Sequence, residues 1–250
     1  MSNEKSRTGH AVALRGEQAQ ARFAVYFAPP SASDWAEVGA QWLGRCSDSG
    51  EARAQPVPAG WSAQAFHAIT SEPRRYGWHA TLKAPFHLAA GLTEAGLADA
   101  LDHLAAQIPD FDLPRLAVQR LGQFLALQPV EPCAALQALA QRCVTDLHGF
   151  AAPPSEADIA ARIAEGRLDA EQQALLRRWG YPHVMQRFRF HMTLTGNLRG
   201  LSEQEVAQLE RHAQQVFSAL PQPLPVRALS LFKEPQAGAD FVRISRSASA

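Results

Sequence analysis

A four-residue pattern occurs twice in this chain, and the elements that follow it repeat in the same order. His79-Ala80-Thr81-Leu82 returns as His191-Met192-Thr193-Leu194, each inside a short apolar run of strand character. Behind the first copy come Leu92-Thr93-Glu94, then Leu97, Leu101 and Leu104 at helical spacing, then Leu113-Pro114 and two strand-like segments. Behind the second come Leu201-Ser202-Glu203, a helical stretch, Leu224-Pro225 and again two strand-like segments. Matching order at similar spacing marks an internal duplication. The chain is therefore expected to fold as two similar lobes. Because strands and helices are mixed rather than strictly alternating, the expected class is α+β: bilobal, with two antiparallel sheets and outer helices around a central cleft.

The rest of the chain fits around this repeat. Residues 22–28 read as a first strand, stopped by Pro29-Pro30, with Ser33 capping a helix to about Leu43. A short helix is expected at Ala63–Ile69, a helix at about 132–147, and two helices capped by Ser155 and Asp169 within 151–180. The two histidine strands are expected at about 76–88 and 187–198, where Pro85 marks a strand end, an edge or a bulge. The predicted organisation is a disordered tail over residues 1–20 and one domain over 21–250. Its lobe-forming repeats cover about 76–130 and 187–247, joined by a helical bridge over about 131–180.

With 250 residues, 46% of them hydrophobic and 19% charged, the chain can bury a full core. Its 24 basic and 24 acidic side chains balance. This argues against coating a polyanion but leaves room for a small phosphate-bearing substrate. The three cysteines form no CxxC pair and read as reduced thiols. No apolar run approaches the roughly 18 residues of a membrane span, and the polar start lacks a signal-peptide core. A cytoplasmic monomer is the expectation.

Strand geometry sorts the repeated motif into rows, because side chains alternate faces. His79, Thr81 and Lys83 fall on one face of the first strand. Arg189, His191 and Thr193 fall on one face of the second. Each polar row then carries a His, a Thr and a cation. Two imidazoles flanking a phosphodiester can act as acid and base, with Thr81, Thr193, Lys83 and Arg189 holding the phosphate oxygens. Tyr76, Trp78 and Tyr181 are candidate walls for the substrate, although such residues more often serve core and turns. No HExxH or Cys/His set accompanies the histidines, so neither metal nor cofactor is expected.

Two His-x-Thr motifs on duplicated lobes resemble the two-histidine (2H) phosphoesterase superfamily, which includes 2′-5′ RNA ligase-like proteins and cyclic nucleotide phosphodiesterases. Two stretches resemble the branch associated with phosphonate metabolism: the string from Arg75 through Gly77-Trp78-His79 to Phe86, and Trp179-Gly180-Tyr181-Pro182 together with Phe188 to Gly196. The resemblance covers roughly residues 20–247. It implies a bilobal fold with a cleft, His79 and His191 as acid and base, and Thr81 and Thr193 on the phosphate. It also implies metal-independent cleavage of a cyclic phosphate or a 2′-linked diester, in phosphonate metabolism. The expected partner is a small phosphate ester or nucleotide. The alternatives are RNA-end processing of ligase-like type and a non-catalytic phosphate- or nucleotide-binding module.

Overall fold

The computed structural model describes residues 21–249; the tail expected over residues 1–20 lies outside them. In chain order the elements are β1 (Arg22–Phe27), α1 (Asp34–Leu43), α2 (Ala63–Ile69), α3 (Ser71–Tyr76), β2 (Ala80–His87), α4 (Glu94–Ala105), β3 (Phe111–Asp112), β4 (Leu116–Leu121), β5 (Phe124–Pro129), α5 (Ala134–Asp146), α6 (Glu156–Ala164), α7 (Ala170–Trp179), β6 (Met192–Thr193), α8 (Glu203–Ser218), β7 (Pro225–Val226), β8 (Ala228–Glu234) and β9 (Val242–Ala248). Helix starts follow their caps. Ser33, Ser62, Thr93, Ser155, Asp169 and Ser202 each accept a backbone N–H of the first turn. Asp169 with Gln172 and Ser202 with Glu205 form full capping boxes.

All strand pairs are antiparallel. Seven strands form one sheet in the order β4-β5-β6-β2-β1-β8-β9, and β3 pairs with β7 in a second, two-stranded sheet. The two halves thus share the larger sheet. They meet where equivalent residues meet: Ala80 pairs with Met192, each the residue after its motif histidine. The two Leu-Pro turns also meet, with the Leu113 N–H donating to the Leu224 carbonyl at 2.9 Å. Contacts between like positions are what a local two-fold axis requires. The hairpins cross over this axis. The β4–β5 hairpin follows the first motif yet pairs with β6, and β8–β9 follows the second yet extends from β1 beside β2.

Alternation on β1 separates the two faces of the sheet. Phe23, Val25 and Phe27 join the large core under the helices, with Trp42, Leu97, Leu101, Leu139, Leu209 and Phe217. Ala24, Tyr26 and Ala28 face the other way. That second face carries the cleft.

Two expectations change here. The second histidine strand was expected over about 187–198 and is reduced to Met192–Thr193. The hydroxyl of Thr195 accepts the Leu125 N–H at 3.0 Å, which ends the backbone ladder on β5. On the other side a 3-10 turn at Met185–Arg187, with Met185 at a φ of 53°, replaces the start of the strand. The first histidine strand begins at Ala80 rather than near Tyr76, because α3 occupies Ser71–Tyr76.

Candidate active site

His79 and His191 flank the β2–β6 pair and open on the same cleft, of about 440 Å³. The two rings are held alike. The carbonyl two residues upstream accepts the Nδ1–H in each case, Gly77 for His79 at 2.9 Å and Arg189 for His191 at 2.8 Å. A proton on Nδ1 leaves Nε2 of the neutral ring as a free base. The Thr81 hydroxyl donates to Nε2 of His79 at 3.2 Å. Thr193 lines the cleft from the equivalent position.

Gly77 makes the His79 tether possible. Its φ of 78° lies in the left-handed region, and a Cβ there would sit 2.6 Å from the Ser47 side chain. Tyr26 lies beneath the His79 ring, stacked at 3.7 Å between centroids. Phe124 stands 5.7 Å from the His191 ring. Burial pushes His79 down to about 4 against the pull of the Gly77 carbonyl, and the nearby His191 lowers it further. Burial also lowers His191, against the Arg189 carbonyl. Both rings therefore favour the neutral form at pH 7.

The strand rows hold for the His and Thr residues and fail for the cations. Two register shifts interrupt the β1–β2 pairing, so that Tyr26 pairs with Thr81 but Val25 with Lys83. Tyr26 and Val25 point to opposite faces, and so do Thr81 and Lys83. Lys83 leaves the histidine cleft and is buried among the residues of a neighbouring cavity. Arg189 precedes the shortened β6, where strand parity does not apply. Its exposed side chain lines an adjoining cavity that shares Thr81, Phe124, Tyr181 and His191 with the cleft, and its carbonyl holds the His191 ring. Trp78 is not a wall. It is buried, stacked on Phe217 at 5.3 Å, in space that Gly39 leaves open.

Tyr76 and Tyr181 do line the cleft, with Tyr26; these are all three tyrosines of the chain. The cations at the cleft are Arg22 and Arg162. Arg22 is held by the fully buried Glu234, which Arg75 also binds. Arg162, on α6, has no salt-bridge partner among the described residues. Sequence reading missed Tyr26, Arg22 and Arg162. For Tyr26 a signal existed, since Ala24-x-Tyr26-x-Ala28 is a small–large–small row, fit for an open face. For Arg162 none did, because only the packing of α6 brings it to the cleft.

The family model described as "Protein of unknown function (DUF1045)" matches residues 81–242. The chain belongs to the DUF1045 family. Two curated relatives carry the name "Ribose 1,5-bisphosphate phosphokinase PhnN". The protein from Janthinobacterium sp. (strain Marseille) is 38% identical over 231 residues, 92% of this chain and 51% of its own length. The protein from Laribacter hongkongensis (strain HLHK9) is 42% identical over 222 residues, 88% of this chain and 50% of its own. This DUF1045 chain spans about half the length of the curated relatives it matches. Among solved structures, E. coli LigT complexed with ATP gives a TM-score of 0.41 at 14% identity, covering 93% of this chain and 99% of that one. A structure described as a phosphoesterase gives 0.39 at 16%, covering 94% and 99%. Scores this low carry no argument about activity. No helix among the described residues is long and apolar enough to cross a membrane.

Proposed function

We propose that this DUF1045 chain is a phosphoesterase of the 2H type, hydrolysing a small cyclic phosphate or 2′-linked diester with its histidine pair. The observation that carries the reading is the matched tethering of His79 and His191. Two neutral rings, each with Nδ1 fixed by a carbonyl and Nε2 left unprotonated, line one cleft.

In the proposed reaction one His takes a proton from water as the oxygen attacks phosphorus. The other, protonated with the incoming phosphate anion, gives its proton to the leaving ester oxygen as the P–O bond breaks. One cyclic phosphate and one water give one monoester, whereas a 2′-linked diester and one water give a monoester and the freed alcohol. The deeper depression of His79 favours it as the base and leaves His191 as the acid. Thr81 and Thr193 hold non-bridging oxygens, and Arg162 with Arg22 balances the developing charge. Tyr26, Tyr76 and Tyr181 supply the walls. The curated relatives are named for ribose 1,5-bisphosphate, which makes a cyclic phosphate on ribose the first substrate to try, in the setting of phosphonate metabolism.

The test is a screen of purified protein against ribose cyclic phosphates, 2′,3′-cyclic nucleotides and RNA ends. His79→Ala and His191→Ala are each expected to lower kcat by about 10²–10⁴-fold with ligand binding kept. Turnover unchanged in both variants overturns the mechanism. No step requires a metal, so activity in EDTA is expected to be full; loss in EDTA restored by zinc would point to a metal centre instead.

A further inference from the structure

Beside the histidine cleft lies a second cavity of about 500 Å³. It exists because β6 is only two residues long. Past Leu82 the edge of β2 has no strand beside it on that side, and α5, α6, α7 and the segment 151–155 close around the opening. The two cavities share six lining residues, Arg22, Ala84, Pro85, Arg162, Gly180 and Tyr181. They are two rooms on either side of the Ala84–Pro85 bulge.

The second room is built for charge. Lys83 lines it and is only 4% exposed, with neither a hydrogen-bond partner nor a salt bridge among the described residues. Its ammonium lies 5.0 Å from the Phe86 ring centroid. An isolated buried cation is costly, and the cost vanishes when an anion enters. His148 lines the same cavity, with a buried Nδ1 that has no partner among the described residues. Arg162 stands at the shared wall. The one carboxylate of the lining, Asp158, is bound by the Ser155 hydroxyl at the start of α6. Burial holds the Lys83 amine down to about 8 and lowers His148, whose ring Lys83 also disfavours charging. At neutral pH Lys83 thus keeps its charge at a cost that an anion would relieve, and His148 is the group left to take up a proton beside one.

We infer that this cavity is a second anion-binding site, in which Lys83, His148 and Arg162 hold a phosphate group carried by the substrate while its diester lies between His79 and His191. The inference rests on the proposed phosphodiesterase reading. It assigns to Lys83 a phosphate other than the one that reacts.

Two measurements test it. Inorganic phosphate is titrated by calorimetry into the His79→Ala/His191→Ala double variant, with and without Lys83→Met. Methionine keeps the apolar stem that the cavity wall packs, and thermal unfolding confirms the fold. Phosphate binding is expected to persist in the double variant and to weaken at least about tenfold with Lys83→Met; Arg162→Gln, at the exposed wall, weakens it less. No binding in the double variant, or equal affinity after Lys83→Met, overturns the site. The second measurement compares a ribose cyclic phosphate with its counterpart bearing a further phosphate monoester. The kcat/KM preference for the two-phosphate substrate is expected to fall at least about tenfold in Lys83→Met, and an unchanged preference overturns the inference. Should the wild type hydrolyse neither compound, the phosphodiesterase reading fails, while the calorimetry still decides the second site.

Discussion

The histidine rings carry consequences that can be read in solution. His79 is held near 4 in the folded protein and returns to about 6.5 when unfolded. The folded state thus favours the neutral ring, so this contribution to stability is full above pH 6.5 and is lost as pH falls toward 4. At roughly 1.4 kcal/mol per unit, the loss is on the order of 3 kcal/mol. Urea unfolding at pH 7 and pH 4 is expected to show this drop, and His79→Gln should lose most of it. An equal drop in the Gln variant would place the acid sensitivity elsewhere. The same depression sets the rate profile. With His79 as base and His191 as acid, kcat/KM is expected to rise through a low limb near pH 4 and fall through a second limb below 6.5. The kcat profile reports the complex, and there the bound phosphate anion moves the second limb upward. A kcat/KM profile flat from pH 4 to 8 excludes the assignment. Both histidines and both threonines were legible at this scale because a repeat marks them and strand period sorts them. Lys83 was misplaced because the register shift at Leu82, between Thr81 and Lys83, leaves no trace in composition.

Among elements, α8 shows how unequal the supports of the cleft are. Its Phe217 contacts Trp35, Trp42 and Trp78, and Trp78 directly precedes His79. Its capping box at Ser202 lies on the exposed surface. Phe217→Ala leaves a void among three indoles and is expected to cost about 3–5 kcal/mol. Ser202→Ala removes one cap and costs about 1 kcal/mol. Denaturant midpoints measure both, and similar losses would mean that the indole cluster repacks around the void. The contrast also explains which elements were legible. Helix starts rest on local hydrogen bonds, so Ser33, Ser155, Asp169 and Ser202 announce them in sequence. A strand needs partners, and those lie far along the chain. Phe188 to Leu194 has strand composition, yet only Met192 and Thr193 pair as a strand, on β2 and β5, and Leu194 adds one backbone hydrogen bond to Leu125. The short β6 and the cavity beside Lys83 follow from that shortage of partners, which no local pattern records.

At the scale of the molecule, the two halves do not stand apart. The second His strand, β6, lies beside the hairpin that follows the first motif, and the hairpin that follows the second motif joins the first His strand through β1. The large core joins Trp42 and Leu97 to Leu209 and Leu229 without a break. Across the sheet, the buried Glu234 at the end of β8 holds Arg22 on β1 and Arg75 on α3. Removing that charge would leave two guanidinium groups competing for weaker acceptors, and Arg22 would lose its aim at the cleft. Glu234→Gln is therefore expected to weaken both stability and substrate affinity, since breaking a buried pair is far costlier than losing a surface one. If either half could fold alone, unfolding would proceed in two steps. Because the shared sheet and continuous core forbid a dry surface between them, a single transition is expected. Tryptophan fluorescence reports Trp35, Trp42 and Trp61 ahead of the first repeat, Trp78 within it and Trp179 of the bridge, with none in the second repeat. Far-UV circular dichroism reports the helices of both halves, α8 included. The two signals are expected to trace one curve against urea in the wild type and in Glu234→Gln, whose curve moves to lower urea. Separated midpoints would show lobes that fold independently, and the site at their junction would then have to form after both.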